Sequence, residues 1–207
     1  MLKRWMSIAA AMLMTLSIQA ADYQEGEHFK TLPEQVRTRD ASKIEVVELF
    51  WYGCIHCFHF DPMLKEWEER LPADVDFHRS PAMWNKPMAI HAQAFFAAEA
   101  LGVLDQMHDP LFAAMNVERK RLADEDELAE FFAQHGVDEV EFRKAFNSFG
   151  VQSKVRQADA KARSYRITGT PSLVVDGKYL VTAKGGLEEI IKVADFLVAK
   201  ERTARGS

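Results

Sequence analysis

The chain has 207 residues, of which 48% are hydrophobic, and a formal net charge of -5 at pH 7. This length supports a real hydrophobic core in one large domain or two small ones. Two cysteines exclude the disulfide-rich framework of small secreted domains, and the acidic balance excludes the basic footprint of a nucleic-acid-binding protein.

The first twenty residues differ in composition from the rest of the chain. Lys3 and Arg4 form a basic start, residues 6–18 are almost entirely apolar, and small residues precede the first acidic side chain. The apolar run is short for a membrane-spanning helix, which needs about 20 residues, and the pattern is that of a secretory signal peptide. We therefore predict a signal peptide over residues 1–20, cleaved after Ala20, and a soluble exported product in an oxidising compartment.

The next segment predicts a strand, a helix and a second strand. KIEVVELF, residues 43–50, is a nearly continuous apolar run, which indicates a strand buried on both faces. A helix is predicted from Cys54, because apolar side chains then recur at steps of three and four residues, and Pro62 should kink it. A turn at residues 72–74 and a short strand at residues 75–78 follow.

The second half of the chain begins with helices and ends with a hairpin and a helix. From about residue 85 strong helix formers dominate, with four predicted helices, two of which end at Gly136 and Gly150. Asp176-Gly177 separates two apolar runs and predicts a tight hairpin turn. A final amphipathic helix follows, and residues 201–207 are predicted to form a flexible tail. The order indicates an α/β unit interrupted by a helical insertion.

Cys54 and Cys57 form a C-x-x-C pair between the buried strand and the predicted helix. A cysteine at the first turn of a helix faces unpaired N–H groups and the positive end of the helix dipole, which favour the nucleophilic thiolate. Cys57 lies one turn later on the same face, within disulfide reach but pointing further inward. The pattern predicts an exposed attacking sulfur and a sheltered resolving one, and His56 adds a donor beside Cys54.

The pair has other interpretations. A structural zinc site usually takes four ligands, and His56 and His59 could complete one, although Phe58 and Phe60 crowd them. A structural disulfide across so short a loop would gain little loop-closure entropy. Covalent haem attachment needs C-x-x-C-H, and it is excluded because Phe58 follows Cys57.

The motifs ELFWYGCIHCFHF and ITGTPSLVVDGKY resemble the thioredoxin superfamily, and more narrowly its DsbA family of periplasmic thiol:disulfide oxidoreductases. The resemblance covers nearly all of the chain after the predicted signal peptide. It implies an α/β thioredoxin fold interrupted by an all-helical insertion domain. Residues 21–84 and 159–200 would form the thioredoxin-like domain, and residues 85–158 the insertion. Ile55 stands where the commonest family motif has proline, and the dipeptide between the cysteines tunes the redox potential in this superfamily.

The resemblance also implies roles for residues outside the cysteine pair. Thr170-Pro171 is implied to be a cis peptide beside the cysteines whose backbone pairs with an extended substrate segment. Glu48, an acid within the apolar first strand, is implied to lie near Cys57, with Arg79 as its basic partner where lysine is usual. Glu48 would take the proton from Cys57, directly or through water, whereas Arg79 stays protonated and cannot relay it.

The sequence therefore predicts a monomeric exported dithiol oxidase that donates a Cys54–Cys57 disulfide to reduced exported proteins, without a cofactor or metal. By resemblance, a quinone-linked inner-membrane partner of the DsbB type restores the disulfide, and the compartment is the periplasm. The alternatives are a disulfide isomerase or reductase, and a non-enzymatic chaperone or metal-binding module on the same fold. Five histidines show no ligand spacing and are interpreted as surface or packing residues: His28, His78, His91, His108 and His135.

Overall fold

The computed structural model describes residues 23–182 and 184–206. The predicted signal peptide and its cleavage position lie outside the described residues. No helix in the described ranges is long and apolar enough to cross a membrane. These ranges contain five strands and seven helices, in the order β1 (Phe29–Thr31), β2 (Ile44–Phe50), α1 (Ile55–Glu68), β3 (Val75–Pro81), α2 (Lys86–Ala100), α3 (Leu104–Asn116), α4 (Glu125–Gln134), α5 (Glu139–Phe146), α6 (Phe149–Ser164), β4 (Ser172–Val175), β5 (Tyr179–Val181) and α7 (Leu187–Arg205).

The strands form one mixed sheet in the order β1-β5-β4-β2-β3. Strands β2 and β3 are parallel, and the other neighbouring pairs are antiparallel. All seven residues of β2 are buried, which confirms the prediction of a strand covered on both faces. The parallel pair β2–β3, joined by α1, with an antiparallel hairpin beside it, is the predicted thioredoxin fold.

Two apolar clusters cover the two faces of the sheet. On one face Val46 packs in a cluster with side chains of α1 and α7, including Leu64 and Leu197. On the other face Val47 and Leu49 pack in a larger cluster that includes side chains from α2 to α6. The five helices between β3 and β4 therefore bury one face of the sheet while α1 and α7 bury the other.

The hairpin between β4 and β5 turns at the predicted dipeptide. Asp176 and Gly177 have φ angles of 53° and 59°, the left-handed conformation that a type I′ turn requires at both central positions. A Cβ atom on Gly177 would lie 2.0 Å from the carbonyl oxygen of Val36, so only glycine fits there. The turn prediction is confirmed.

The helical segment differs from the prediction in its number of helices and in one helix end. It contains five helices instead of four, because α2 ends at Ala100 and a separate α3 follows Gly102, whose φ is 70°. Gly150 lies in the first turn of α6 and does not end α5, since the Ser148 side chain accepts a hydrogen bond from Val151 N and starts the new helix there.

Two predicted boundaries fall inside helices of the structure. The prediction of a flexible tail is wrong for residues 201–206, because α7 continues to Arg205 and ends at Gly206 in a left-handed conformation. Buried Glu201 binds Lys178, and Arg205 binds the buried Asp176 in the hairpin turn, so the last helical turns are attached to the sheet. The predicted domain boundary at residues 158/159 falls inside α6, and the division into domains stays a prediction.

Candidate active site

Cys54 is the N-cap residue of α1, one position before the helix itself. Its backbone is extended, with φ −92° and ψ 113°, and its carbonyl oxygen accepts the hydrogen bond of Phe58 N at 3.0 Å. The first N–H groups of a helix have no partner within the helix, and here they face the Cys54 sulfur at the positive end of the dipole. The chain direction at the end of β2 thus places this sulfur where a negative charge is stabilised.

Several hydrogen bonds lower the pKa of Cys54. The largest effect comes from the Cys57 side chain, partial burial opposes it, and the Thr170 side chain and the backbone N–H groups of Cys57 and His56 add to the lowering. Together they lower the pKa from 9.0 to about 5. In its thiol form, Cys54 donates a hydrogen bond from Sγ to the carbonyl oxygen of Thr170 at 3.3 Å. Because its pKa is about 5, Cys54 is a half-buried thiolate at neutral pH, which is the reactive form of cysteine.

Cys57 has the opposite character. It is completely buried, and this burial, together with the hydrogen bond to Cys54, raises the pKa of the Cys57 thiol far above its usual range. The negative charges of Glu48 and Cys54 raise this pKa further. The two cysteines are not joined by a disulfide in this structure. Two sulfurs one helical turn apart therefore differ in access and in proton affinity.

Glu48 and Arg79 lie beneath the cysteines, opposite each other in the parallel pair of β2 and β3. The Nε atom of Arg79 lies 3.4 Å from Oε2 of Glu48, so the structure brings together the pair that the resemblance implied. Glu48 is 1% exposed, and burial raises its pKa to about 8 although Arg79 acts to lower it. A carboxyl group with this pKa can both accept and donate a proton near neutral pH.

A second buried acid, which the sequence analysis missed, completes this polar layer. Asp61 of α1 lies 3.3 Å from Arg79 Nε, 3.0 Å from Lys65 Nζ and 3.0 Å from Nε2 of His108. His108 Nδ1 lies 2.9 Å from the Tyr52 hydroxyl, so this histidine belongs to a buried polar network. The sequence contained one signal that could have identified Asp61. Asp61 lies on the apolar face of α1, where a buried acid needs a polar partner.

The loop before β4 closes the site from the other side. The Thr170-Pro171 peptide bond is cis, as the resemblance implied, and the carbonyl oxygen of Thr170 faces Cys54. His56 is exposed, and Ile55 is 43% exposed, so the two residues between the cysteines form the outer surface of the site. The structure therefore brings together the cysteine pair, the Thr170 loop and the Glu48–Arg79 pair.

A group of possible metal ligands lies elsewhere in the described part of the chain. Glu45, Asp76 and His78 offer ligand atoms within 4.8 Å of one another, and this group includes neither cysteine. Lys161 and Arg39 already bind the two carboxylates, at 2.9 Å and 2.5 Å. These cations neutralise the acids that a metal ion would need as ligands.

Comparison with protein families and known proteins agrees with this geometry. Residues 58–190 match the model of the DSBA-like thioredoxin domain. The chain is 42% identical over 199 residues to the thiol:disulfide interchange protein DsbA of Pseudomonas aeruginosa, covering 95% of this chain and 94% of that protein. It is 43% identical over 191 residues to the protein of the same name in Azotobacter vinelandii, covering 91% and 89% of the two chains.

Solved structures show the same similarity. The crystal structure of Pseudomonas aeruginosa DsbA superposes with a TM-score of 0.86 at 42% identity, covering 91% of this chain and 99% of that one. The oxidoreductase DsbA from Xylella fastidiosa gives a TM-score of 0.83 at 36% identity, covering 87% and 98%. The fold, the reactive cysteine pair and these similarities together lead to one conclusion. The chain belongs to the DsbA family of thioredoxin-fold thiol:disulfide oxidoreductases.

Proposed function

We propose that this oxidoreductase works as a dithiol oxidase, which donates a Cys54–Cys57 disulfide to reduced exported proteins. The observation that carries the proposal is the contrast between the two sulfurs. Cys54 is accessible and stable as a thiolate, with a pKa of about 5, whereas Cys57 is buried and strongly prefers to be protonated. A stable thiolate in the reduced form makes the disulfide a strong oxidant, because reduction releases a well-stabilised product.

Disulfide transfer then takes two successive thiol–disulfide exchange steps. A substrate thiolate attacks the Sγ atom of Cys54, a mixed disulfide forms, and the electron pair of the broken bond leaves on Cys57. A second substrate thiolate attacks the substrate sulfur of the mixed disulfide and releases Cys54 as a thiolate. The substrate gains a disulfide and loses two electrons, which the cysteine pair takes up. Cys54 is the better leaving group in the second step because its thiolate is stabilised.

In this proposal, Glu48 donates a proton to the buried Cys57 sulfur and accepts it in the reverse direction. Cys57, which is completely buried, leaves as a thiolate and needs a proton, and Glu48, with a pKa of about 8, holds one at neutral pH. In the reverse direction, the ionised Glu48 takes the proton before Cys57 attacks. Arg79 stays charged and stabilises the carboxylate without exchanging protons.

The Thr170 loop and the exposed dipeptide would contact the substrate. Cys54 lies against the backbone of Thr170, so a chain segment that approaches the sulfur also passes the loop that ends at Pro171. Exposed Ile55 offers an apolar contact, and exposed His56 a polar one, at the mouth of the site. We assign Thr170, Pro171, Ile55 and His56 to substrate binding and to tuning of the redox potential of the cysteine pair.

The cellular setting is the remaining part of the proposal. The basic and apolar start of the sequence supports export to the periplasm, with cleavage after Ala20. An exported oxidant must be reoxidised there, and an inner-membrane partner of the DsbB type would accept the electrons from Cys54 and Cys57. We propose that the protein acts as a monomer without a prosthetic group.

An oxidative refolding assay tests the function. Oxidised protein is added to a reduced, unfolded secreted enzyme, and substrate disulfides and the reduction of Cys54 and Cys57 are counted. We expect about one substrate disulfide for each cysteine pair reduced. Reactivation of a scrambled substrate without net reduction of the pair indicates an isomerase, and catalysis of insulin reduction as the principal activity indicates a reductase. A refolding effect that survives in Cys54→Ser indicates a chaperone.

A further inference from the structure

In the buried polar layer, the two buried acids Glu48 and Asp61 share the cation of Arg79. The Nε atom of Arg79 lies 3.4 Å from Oε2 of Glu48 and 3.3 Å from Oδ1 of Asp61, and it is hydrogen-bonded to neither. The other end of the guanidinium, Nη1, donates a 3.0 Å hydrogen bond to Glu68 at the edge of the layer. Glu48 therefore receives only part of the charge of Arg79, and its Oε1 atom has no hydrogen-bond partner among the described residues.

His108, a residue of the helical segment, holds Asp61 in position through a hydrogen bond. It is ionised, because the hydrogen bond from His108, together with Lys65 and Arg79, lowers its pKa to about 2 in spite of burial. An ionised carboxylate only accepts hydrogen bonds, so Nε2–H of His108 donates to Asp61, while Nδ1 lies 2.9 Å from the Tyr52 hydroxyl. His108 is 5% exposed. This geometry fixes the histidine at both ring nitrogens.

A cavity of about 260 Å³ reaches the layer from outside. Its lining includes Arg79, His108, Lys65 and Glu68, together with Asp105 and Leu104 at the start of α3. A space of this size holds several water molecules beside Arg79 and His108. The helical segment, through α3, supplies one wall of this cavity.

We propose that His108 is a positioning residue for the proton exchange at Cys57, because it holds Asp61 on Arg79 and so keeps Arg79 from pairing with Glu48 alone. The inference deepens the proposed function and rests on the proton transfer between Glu48 and Cys57. Without Asp61 in place, Arg79 closes on Glu48, the carboxylate is stabilised, and Glu48 gives up its proton at lower pH.

The charged groups around Glu48 are consistent with this direction. Arg79 on β3 lowers its pKa, whereas the charges of Asp61 and Glu68 on α1 and of Cys54 at the helix start raise it. The facing residue on β4 is Leu173, which carries no charge. Asp61 is the only one of the raising groups that α3 holds in place, so α3 is the element through which the helical segment acts on Glu48.

The test follows the step in which Cys57 resolves a mixed disulfide. Reduced protein is mixed rapidly with oxidised glutathione at a series of pH values. The second phase, which is independent of glutathione concentration, reports Cys57 giving a proton to Glu48 and attacking Cys54, with glutathione leaving as a thiolate. We expect Asp61→Asn to move the midpoint of this phase to lower pH by about one unit. His108→Phe should move it in the same direction by less.

Two further variants test whether the shift in the midpoint comes from the position of Asp61, from a change in packing at residue 108, or from the loss of any nearby charge. His108→Gln keeps an amide that can donate to Asp61, and should restore the original midpoint. Asp109→Asn removes an exposed acid that binds Lys65, and should leave the midpoint unchanged. Titration of the Glu48 carboxyl by isotope-edited infrared spectroscopy, on the same folded variants, should show the same order.

The outcomes separate this inference from the proposed function. If Glu48→Gln alters the pH profile but Asp61→Asn and His108→Phe leave the midpoint in place, the inference is wrong and the role of Glu48 stands. Equal shifts in His108→Phe and His108→Gln also overturn it, because packing alone then explains both. If Glu48→Gln has the profile of the unmodified protein, the proton transfer itself is wrong and the inference fails with it.

Discussion

At the scale of single residues, two identical side chains acquire opposite chemistry from their surroundings. Cys54 has unpaired helix N–H groups and the Thr170 loop around it, and its pKa falls to about 5. Cys57, three residues later, lies among buried apolar side chains beside the acidic Glu48, and its pKa rises. The local electric field and the access of solvent, not the residue type, assign the two roles.

The first prediction concerns this division of labour. Cys57→Ser should accumulate mixed disulfides with exported proteins that carry a disulfide, because the Cys54 thiolate attacks that disulfide, the other substrate sulfur leaves as a thiolate, and the resolving thiol is absent. Cys54→Ser should trap almost none, since Cys57 is completely buried. Non-reducing electrophoresis of the two variants, isolated from the same cells after acid quenching of thiols, measures the difference. Equal trapping by both variants contradicts the assignment of Cys54 as the reacting sulfur.

The second prediction concerns the Thr170 side chain, which helps to lower the pKa of Cys54. Thr170→Val removes the hydroxyl and keeps the shape, so the pKa of Cys54 should rise by about half a unit. Ultraviolet absorbance of the thiolate, recorded across a pH titration of the reduced protein, measures it. The matched control is Thr168→Val, an exposed position on the same loop, which should leave the titration unchanged. Identical titrations for both variants and the unmodified protein contradict the assignment.

At the scale of elements, the last helix shows how buried charges order a chain end. The final turns of α7 bring Glu201 and Arg205 to the hairpin turn, where Glu201 lies 2.5 Å from Lys178 and Arg205 lies 2.5 Å from Asp176. Asp176 is 1% exposed, so its charge needs both cations. The end of α7 is thereby attached to the β4–β5 turn, which lies at the opposite end of β2 from the cysteines.

The third prediction tests this attachment. Arg205→Ala leaves the buried Asp176 with one cation fewer, and the free energy of unfolding should fall by about 1–3 kcal/mol. Arg163→Ala is the matched control, because Arg163 pairs with Asp159 on the surface with 76% of its side chain exposed. That change should cost less than about 1 kcal/mol. Urea unfolding monitored by tryptophan fluorescence measures both, and equal losses contradict a structural role for the end of α7.

At the scale of the whole molecule, the thioredoxin-like elements and the helical segment both contribute residues to the site. β2, β3, α1 and the loop before β4 supply the cysteines, Glu48, Arg79 and Thr170. The five helices between β3 and β4 bury the other face of the sheet and add His108 to the polar layer. The stability of the fold and the redox state of the site are therefore linked, because reduction creates a charge that the fold stabilises.

The fourth prediction is that the reduced protein is more stable than the oxidised one. The folded pKa of Cys54 is about 5 and the unfolded value about 8.5, so the thiolate stabilises the reduced fold. Allowing for the solvent-facing side of the sulfur, we expect about 2 kcal/mol at pH 7. Because the folded pKa is depressed, this stabilisation is complete above about pH 8.5, falls as pH drops, and is absent below about pH 5.

Urea unfolding of both redox states at pH 8.5, 7 and 5 tests this prediction at three points, where nearly all, a little over half and little of the stabilisation should be present. Reduced Cys54→Ser lacks the titrating group and should show no such pH-dependent stabilisation. An oxidised form that is the more stable at pH 7, as for a structural disulfide, or a gap that is independent of pH, contradicts the dithiol-oxidase proposal.

Local sequence patterns determined much of this protein. The apolar run of β2, the helical periodicity of α1 and the turn at Asp176-Gly177 were predictable because each depends on neighbours within a few residues. The C-x-x-C pair at a strand-to-helix junction indicated its chemistry for the same reason, since the helix start that stabilises Cys54 is local. The second motif, which contains Thr170-Pro171, placed the chain in its family together with that pair.

The tertiary structure decided what depends on partners distant in the sequence. Asp61 and His108 are 47 positions apart, and no local pattern joins them, so their contact at Arg79 appears only when α3 packs on α1. The end of α7 was predicted to be flexible because its polar residues have no local partner, whereas its partners lie in the β4–β5 hairpin. The pKa of Glu48 likewise depends on burial and on charges from two other elements, because electrostatic interactions act through space and not along the chain.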